Sequence, residues 1–175
     1  DNGGAIYSEG TLSIENSVFY DNNAHGTGDI QSASGSSSEI INCTFSKNRS
    51  DKCIYGLGNV NIINTILYGN LGSYDVYAPN QNTVMMNYCI FQTISPFVYQ
   101  VNSFTGPNLS GFEFASIINN DFRLKYTSVG IDDGTSSNNA PNKDLNGDNR
   151  DANYDIGAYE WHCTSANGGD IVGAS

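Results

Sequence analysis

An internal repeat constrains this chain more than any other feature. The central aliphatic residue of Ala5-Ile6-Tyr7 recurs in Asp29-Ile30-Gln31, Cys53-Ile54-Tyr55, Asp75-Val76-Tyr77 and Phe97-Val98-Tyr99, at nearly even steps. A steady period of roughly 22–26 residues marks stacked units, none of which can bury its apolar face alone. A second ladder aligns Leu12 and Ile14 with Val60 and Ile62, then with Val84 and Met86. Ile40 matches Ile14, while Ser38 interrupts the Leu12 position. A third ladder is Phe19, Phe45, Leu67 and Phe91, with a small residue two positions before each: Ser17, Cys43, Thr65 and Cys89. Asn22, Asn48 and Asn70 follow three positions after the first three members.

Each unit thus holds three short alternating runs separated by Gly, Asn and Ser. Alternation places one face of a strand inside and the other outside. Three strands per unit predict an all-β, right-handed parallel β-helix whose strands pair with their equivalents about 4.8 Å away. Asn22, Asn48 and Asn70 then have a structural role, each turn amide bonding the next. The leucine-rich repeat has a similar period, but its Leu-rich consensus is absent. Gly, Asn, Ser and Thr argue against long helices, while 8 Phe and 11 Tyr supply the apolar surface that disordered chains lack.

The formal net charge is −11, and the seven Lys and Arg are scattered. Binding a phosphate backbone requires clustered cations, so nucleic acid is excluded as a partner, and an anionic membrane surface with it. An acidic surface suits solubility, cation binding or a neutral partner such as a glycan. No run of about 18 apolar residues is present, so this segment has no direct membrane insertion. The chain opens in mid-repeat and without Met, as a trimmed or mature segment does. Cys43, Cys53, Cys89 and Cys163 lack metal-type spacing. Cys43 and Cys89 fall on inward positions two units apart, beyond disulfide reach, and read as small core residues. Cys53 falls on an outward position, from which it reaches Cys163 only if the tail folds back.

Two places have ligand chemistry. Tyr7, Tyr55, Tyr77 and Tyr99 share one repeat position, with Gln31 interrupting. Their aliphatic neighbours point inward, so the rings point outward, either as a row that packs on sugar faces or as cross-strand stacking. Asp144-x-Asn146-x-Asp148, with Asp155 at the twelfth position from Asp144, alternates oxygen ligands in the manner that suits Ca²⁺. The same residues also suit a capping turn in which Arg150 pairs with Asp144 or Asp155. No catalytic residue set emerges. Asp29, Asp51 and Asp75, with Lys47, Arg49 and Lys52, read as solvated turn charges.

Gly3-Gly4-Ala5-Ile6, Phe19-Tyr20-Asp21-Asn22 and Phe45-Ser46-Lys47-Asn48 resemble the GGAI and FxxN repeats of chlamydial polymorphic outer-membrane proteins. The string Asp121-Phe122-Arg123-Leu124, Ser128 to Gly134, Asp144 to Arg150 and Asp155-Ile156-Gly157-Ala158-Tyr159-Glu160 is similar to the C-terminal end of bacterial β-helix proteins of the choice-of-anchor Q type. The resemblance implies export to the cell surface, in association with an outer membrane, and no particular activity. It divides the chain into coils at 1–114, an end-cap at 115–161 and a polar linker or tail at 162–175. The resulting expectation is a non-catalytic adhesin, stalk or glycan-binding segment whose partner is a polysaccharide or a cell-surface protein. The alternatives are the C-terminal part of a polysaccharide-active lyase or hydrolase, and an accessory subunit of an outer-membrane assembly.

Overall fold

The structure, a computed structural model, describes residues 4–81, 83–137 and 139–162. The first rung contains β1 (Ile6–Ser8), β2 (Thr11–Glu15) and β3 (Val18–Tyr20). The second contains β4 (Gly28–Ser32), β5 (Ser37–Ile41) and β6 (Thr44–Ser46). The third contains β7 (Lys52–Gly56), β8 (Asn59–Ile63) and β9 (Ile66–Leu67). The fourth contains β10 (Tyr74–Tyr77), β11 (Val84–Asn87) and β12 (Ile90–Phe91), and a shortened fifth keeps β13 (Tyr99–Val101). Equivalent strands pair in parallel into three sheets, ordered β1-β4-β7-β10, β13-β11-β8-β5-β2 and β12-β9-β6-β3. The chain is a parallel β-helix, and its repeat is the stacking period.

The registers follow the ladders. Ile6, Ile30, Ile54 and Val76 form one column. Ile14, Ile40, Ile62 and Met86 form the second. Phe19, Phe45, Leu67 and Phe91 form the third, with the Phe19 and Phe45 rings stacked at 4.7 Å and 6°. All of these belong to, or pack against, one apolar core. Ser38 interrupts its column because it joins a buried hydroxyl cluster, donating to Ser32 Oγ at 3.0 Å, while Ser32 and Ser36 share a hydrogen bond of 2.7 Å. The small-residue column also has a bonding reason. Ser17, Cys43, Thr65, Cys89 and Ser103 each donate to the carbonyl two residues back, at 2.7–3.3 Å.

The register departs from expectation at the last coil. Tyr99 pairs with Met85 in the second sheet, and the next neighbour of Val76 is Ile94. Tyr99 therefore leaves the tyrosine column, because the fifth rung is too short to rebuild the first sheet. Cys53 is fully buried, not outward, and Cys43 and Cys89 are buried free thiols as expected. Cys163 and the rest of the tail lie outside the described residues.

Asparagine organises two corners. At the first, Asn22 donates its backbone N–H and side-chain amide to Asn48 Oδ1, both at 3.0 Å. Asn48 repeats the pair toward Asn70 Oδ1 at 3.1 Å, and Asn70 ends the ladder on Asp75 Oδ1 at 3.1 Å. At the second corner, Asn16, Asn42, Asn64 and Asn102 have φ of 45–52°, in the left-handed region that Asn tolerates best after Gly.

After a 3₁₀ turn (Gly106–Leu109), β14 (Phe114–Ser116) and β15 (Asp121–Leu124) form an antiparallel hairpin. Its Phe114, Phe122 and Leu124 join Phe112 and Ile156 over Ile66 and Ile90, the outward residues of the third sheet. The segment from Gly130 onward then runs back along the Asn corner. Thr135 bonds Asn64, Pro141 bonds Asn42 and Lys143 bonds Asn16. The described part of 115–161 is thus a strap along the flank of the solenoid, where an end-cap was expected. The cause is the apolar outer face of the third sheet, which must be covered.

Replacing Asn48 with Ala removes the central link of the first corner and leaves the half-buried donors of Asn22 without their acceptor. The expected cost is about 1–3 kcal/mol, read as a lower urea midpoint. Asn22→Ala, at the ladder's end, should cost less.

Candidate functional site

The first sheet presents a compact aromatic face. Tyr7, Gln31, Tyr55 and Tyr77 occupy one column in register, and Lys52 pairs with Tyr74 beside it. The Tyr55 and Tyr77 rings meet edge to face at 5.6 Å, and Tyr74 tilts against Tyr77 at 5.2 Å. Lys52 Nζ lies 5.4 Å from the Tyr55 ring centre and 5.3 Å from that of Tyr77. It also pairs with Asp51 at 2.5 Å. The ammonium is thus held between two rings and a carboxylate, an arrangement favoured by the ring quadrupole. Tyr55, Tyr74 and Tyr77 are partly exposed. Tyr7, two rungs above Tyr55, is more exposed and donates to Glu9 at 3.1 Å. Gln31 between them is buried. The structure therefore brings together Tyr55 and Tyr77 and adds Tyr74 and Lys52. Tyr7 stands apart and Tyr99 belongs to another face. Tyr74 escaped the sequence reading because it lies three residues before Tyr77, off the repeat position. Strand pairing with Lys52 puts it there.

Beneath this face, Asp29, Cys53 and Asp75 form a buried column, so Asp29 and Asp75 are interior rather than solvated. Ser50 donates its hydroxyl to Asp29 Oδ1, and among the described residues Asp29 Oδ2 has no hydrogen-bond partner. Burial pushes the Asp29 carboxyl up to about 6, outweighing the hydrogen bonds from Ser50 and Cys53. Asp75 Oδ2 accepts the backbone N–H groups of Gln92 at 2.7 Å and Thr93 at 3.0 Å. Burial raises its pKa as well.

The acidic loop in the strap is a second candidate. Asp144 is buried, with one oxygen accepting Asp148 N–H at 3.0 Å and the other Glu160 N–H at 3.0 Å. Asp155 is buried and accepts the N–H groups of Asp132 at 2.9 Å and Trp161 at 2.5 Å. Asn146 and Asp148 are exposed. Among the described residues, no group of three or more His, Cys, Asp or Glu side chains is arranged to hold a metal ion. Arg150 pairs with Glu160 at 2.9 Å, both side chains fully buried, and not with the carboxylate of Asp144 or Asp155. It also donates to the main-chain oxygens of Asp155 at 3.2 Å and Gly157 at 2.9 Å. Glu160 was the unnoticed partner. It closes the string Asp155 to Glu160, and only the folded strap brings it back to Arg150.

Gly157 shows why the strap seats closely. Its φ is 110°, and a Cβ there would lie 2.6 Å from Ile66 Cδ1. Its N–H instead donates to Asn64 O at 2.8 Å. Comparison of the chain with protein-family models, curated proteins and solved structures returns no match.

Two outcomes follow. Arg150→Ala leaves Glu160 buried and unpaired, at an expected cost of about 3–5 kcal/mol, and should expose the strap to limited proteolysis before the coils. Stability should also fall as pH rises. Burial, helped by the negative charge of Glu160, pushes the Asp155 carboxyl up to about 7, and Asp29 stands at about 6. Both groups bind protons more tightly folded than unfolded, so their contribution is full below about pH 4 and is lost as pH rises toward 7. Urea midpoints should decline from mildly acidic to neutral pH, and Asp29→Asn with Asp155→Asn should flatten the decline.

Proposed function

We propose that this chain is a non-catalytic β-helix segment displayed outside the cell, and that its tyrosine face binds glycan. The observation that carries this reading is the Tyr55–Tyr74–Tyr77 cluster around Lys52. Rings fixed on a rigid sheet offer apolar faces to the C–H faces of sugars at little entropic cost, while the ammonium donates to hydroxyls. The net charge of −11 and the scattered cations support a neutral partner. The resemblance of about residues 115–161 to choice-of-anchor Q proteins supports export.

The buried acids favour binding over catalysis. Asp75, Asp144, Asp155 and Glu160 are engaged with backbone amides, and Asp29 with the Ser50 hydroxyl. None of these five reaches the surface of the aromatic face. Calcium, in this reading, has no part at the tyrosine face. Its proposed place remains the exposed turn of Asn146 and Asp148 beside Asp144.

A glycan array probed with the intact chain should retain oligosaccharides without cleaving them. Tyr55→Ala and Tyr77→Ala should each weaken retention by about 2- to 10-fold, with the β-rich circular dichroism spectrum unchanged. Retention that is indifferent to both substitutions, or no retained glycan, defeats the reading.

A further inference from the structure

The β-helix contracts after its fourth rung. Each of the first three steps along the first sheet, from Ile6 to Ile30, Ile54 and Val76, takes a full repeat. The step from Val76 to Ile94 is several residues shorter. The steps from Met85 to Tyr99 in the second sheet and from Ile90 to Phe104 in the third are shorter still. A shorter rung cannot cover the perimeter of the longer rung beneath it. An open, shallow cleft of about 500 Å³ lies where it falls short, lined by Tyr74 of the first sheet, Phe91 of the third and Gln100 of the second.

The cleft wall is made by Tyr74, Gln92, Gln100, Ser73, Thr93 and Thr105, with Phe91 and Ile94 as its apolar part. No carboxylate and no cationic side chain lines it among the described residues. Its floor is pinned from beneath. Asp75 holds the backbone N–H groups of Gln92 and Thr93, and its own N–H donates to Thr93 O at 2.8 Å. Gln92 Oε1 accepts Gly69 N–H at 2.7 Å, which fixes the amide and leaves its NH₂ as donor. Gln100 is exposed and adds a second amide. Tyr74, in the cleft wall, also packs against Tyr77 at 5.2 Å. The cleft and the tyrosine face are therefore one continuous surface.

This chemistry selects by what it contains. An anionic ligand would find no cation in the cleft, and a cationic ligand no carboxylate. A wholly apolar ligand would cover two amides and four hydroxyls without offering them partners. A hydroxyl-rich uncharged ring satisfies the amides and hydroxyls while an aromatic ring meets its C–H face. We propose that the cleft at the contracted rung is a subsite for an uncharged polysaccharide, whose neighbouring units lie on the tyrosine face. The proposal rests on the glycan-binding reading and names its ligand class.

The test titrates the full chain with neutral hexasaccharides (β-1,4-glucan, β-1,3-glucan, β-1,4-mannan and β-1,4-xylan) and with hexagalacturonate. Calorimetry gives affinity, and ¹H–¹⁵N spectra follow the side-chain amides of Gln92 and Gln100. The expected result is binding of a neutral hexasaccharide with shifts at both amides. Gln100→Ala, an exposed position, should weaken it by about 2- to 10-fold, the loss of one neutral hydrogen bond, with the urea midpoint unchanged. Binding that depends on Tyr77 while both amides stay still and Gln100→Ala has no effect overturns the cleft and leaves the tyrosine face standing. Preference for hexagalacturonate overturns the neutral class. Absence of binding to every probe overturns both.

Discussion

Backbone pairing between rungs is the constraint on which everything else depends. Each strand finds its hydrogen-bond partners only in the equivalent strands above and below, so equivalent residues are stacked about 4.8 Å apart. Any residue repeated at the period becomes a column. Aliphatic repeats at Ile6, Ile30, Ile54 and Val76 become core. Asn22, Asn48 and Asn70 become a continuous chain of amides. Tyrosine repeats become a surface. Asp75 ends the Asn ladder from the neighbouring Asp29–Cys53 column, holding Asn70 with one oxygen and the Gln92 and Thr93 N–H groups with the other.

The third sheet imposes a second requirement. Its inward residues are aromatic or Leu, and in the outward column Val18-Thr44-Ile66-Ile90 all but Thr44 are also apolar. A sheet apolar on both faces needs a second layer. The hairpin and the strap provide it, and the strap's return path satisfies the Asn corner at the same time. The buried Arg150–Glu160 pair serves this seating. With Asn16 and the carbonyls of Asp155 and Gly157 around the guanidinium, the charge is compensated where a hydrophobic contact would give no direction. Coils and strap are thus two layers of one domain rather than a helix and its lid.

The same stacking produces the ligand face and its limit. Full rungs make flat sheets, and flat sheets make shallow surfaces. Beside the tyrosine face, a concavity appears where the period breaks. The contracted fifth rung displaces Tyr99 to another sheet and exposes the corner beside Tyr74. Regularity supplies the aromatic platform, and irregularity supplies the cleft.

The sequence by itself determined the period, the three core ladders, the first Asn corner and the parallel β-helix, because each is a local pattern repeated at fixed spacing. The second Asn corner was equally present in Asn16, Asn42 and Asn64, at the same spacing as Asn22, Asn48 and Asn70. Only the tertiary structure decided what one period cannot encode. It placed Tyr99 outside the tyrosine column, buried Cys53, Asp29 and Asp75, gave Arg150 its partner in Glu160, and laid the C-terminal strap along the flank. These features depend on contacts between segments with no shared repeat, where burial and hydrogen-bond closure, rather than spacing, select the partner.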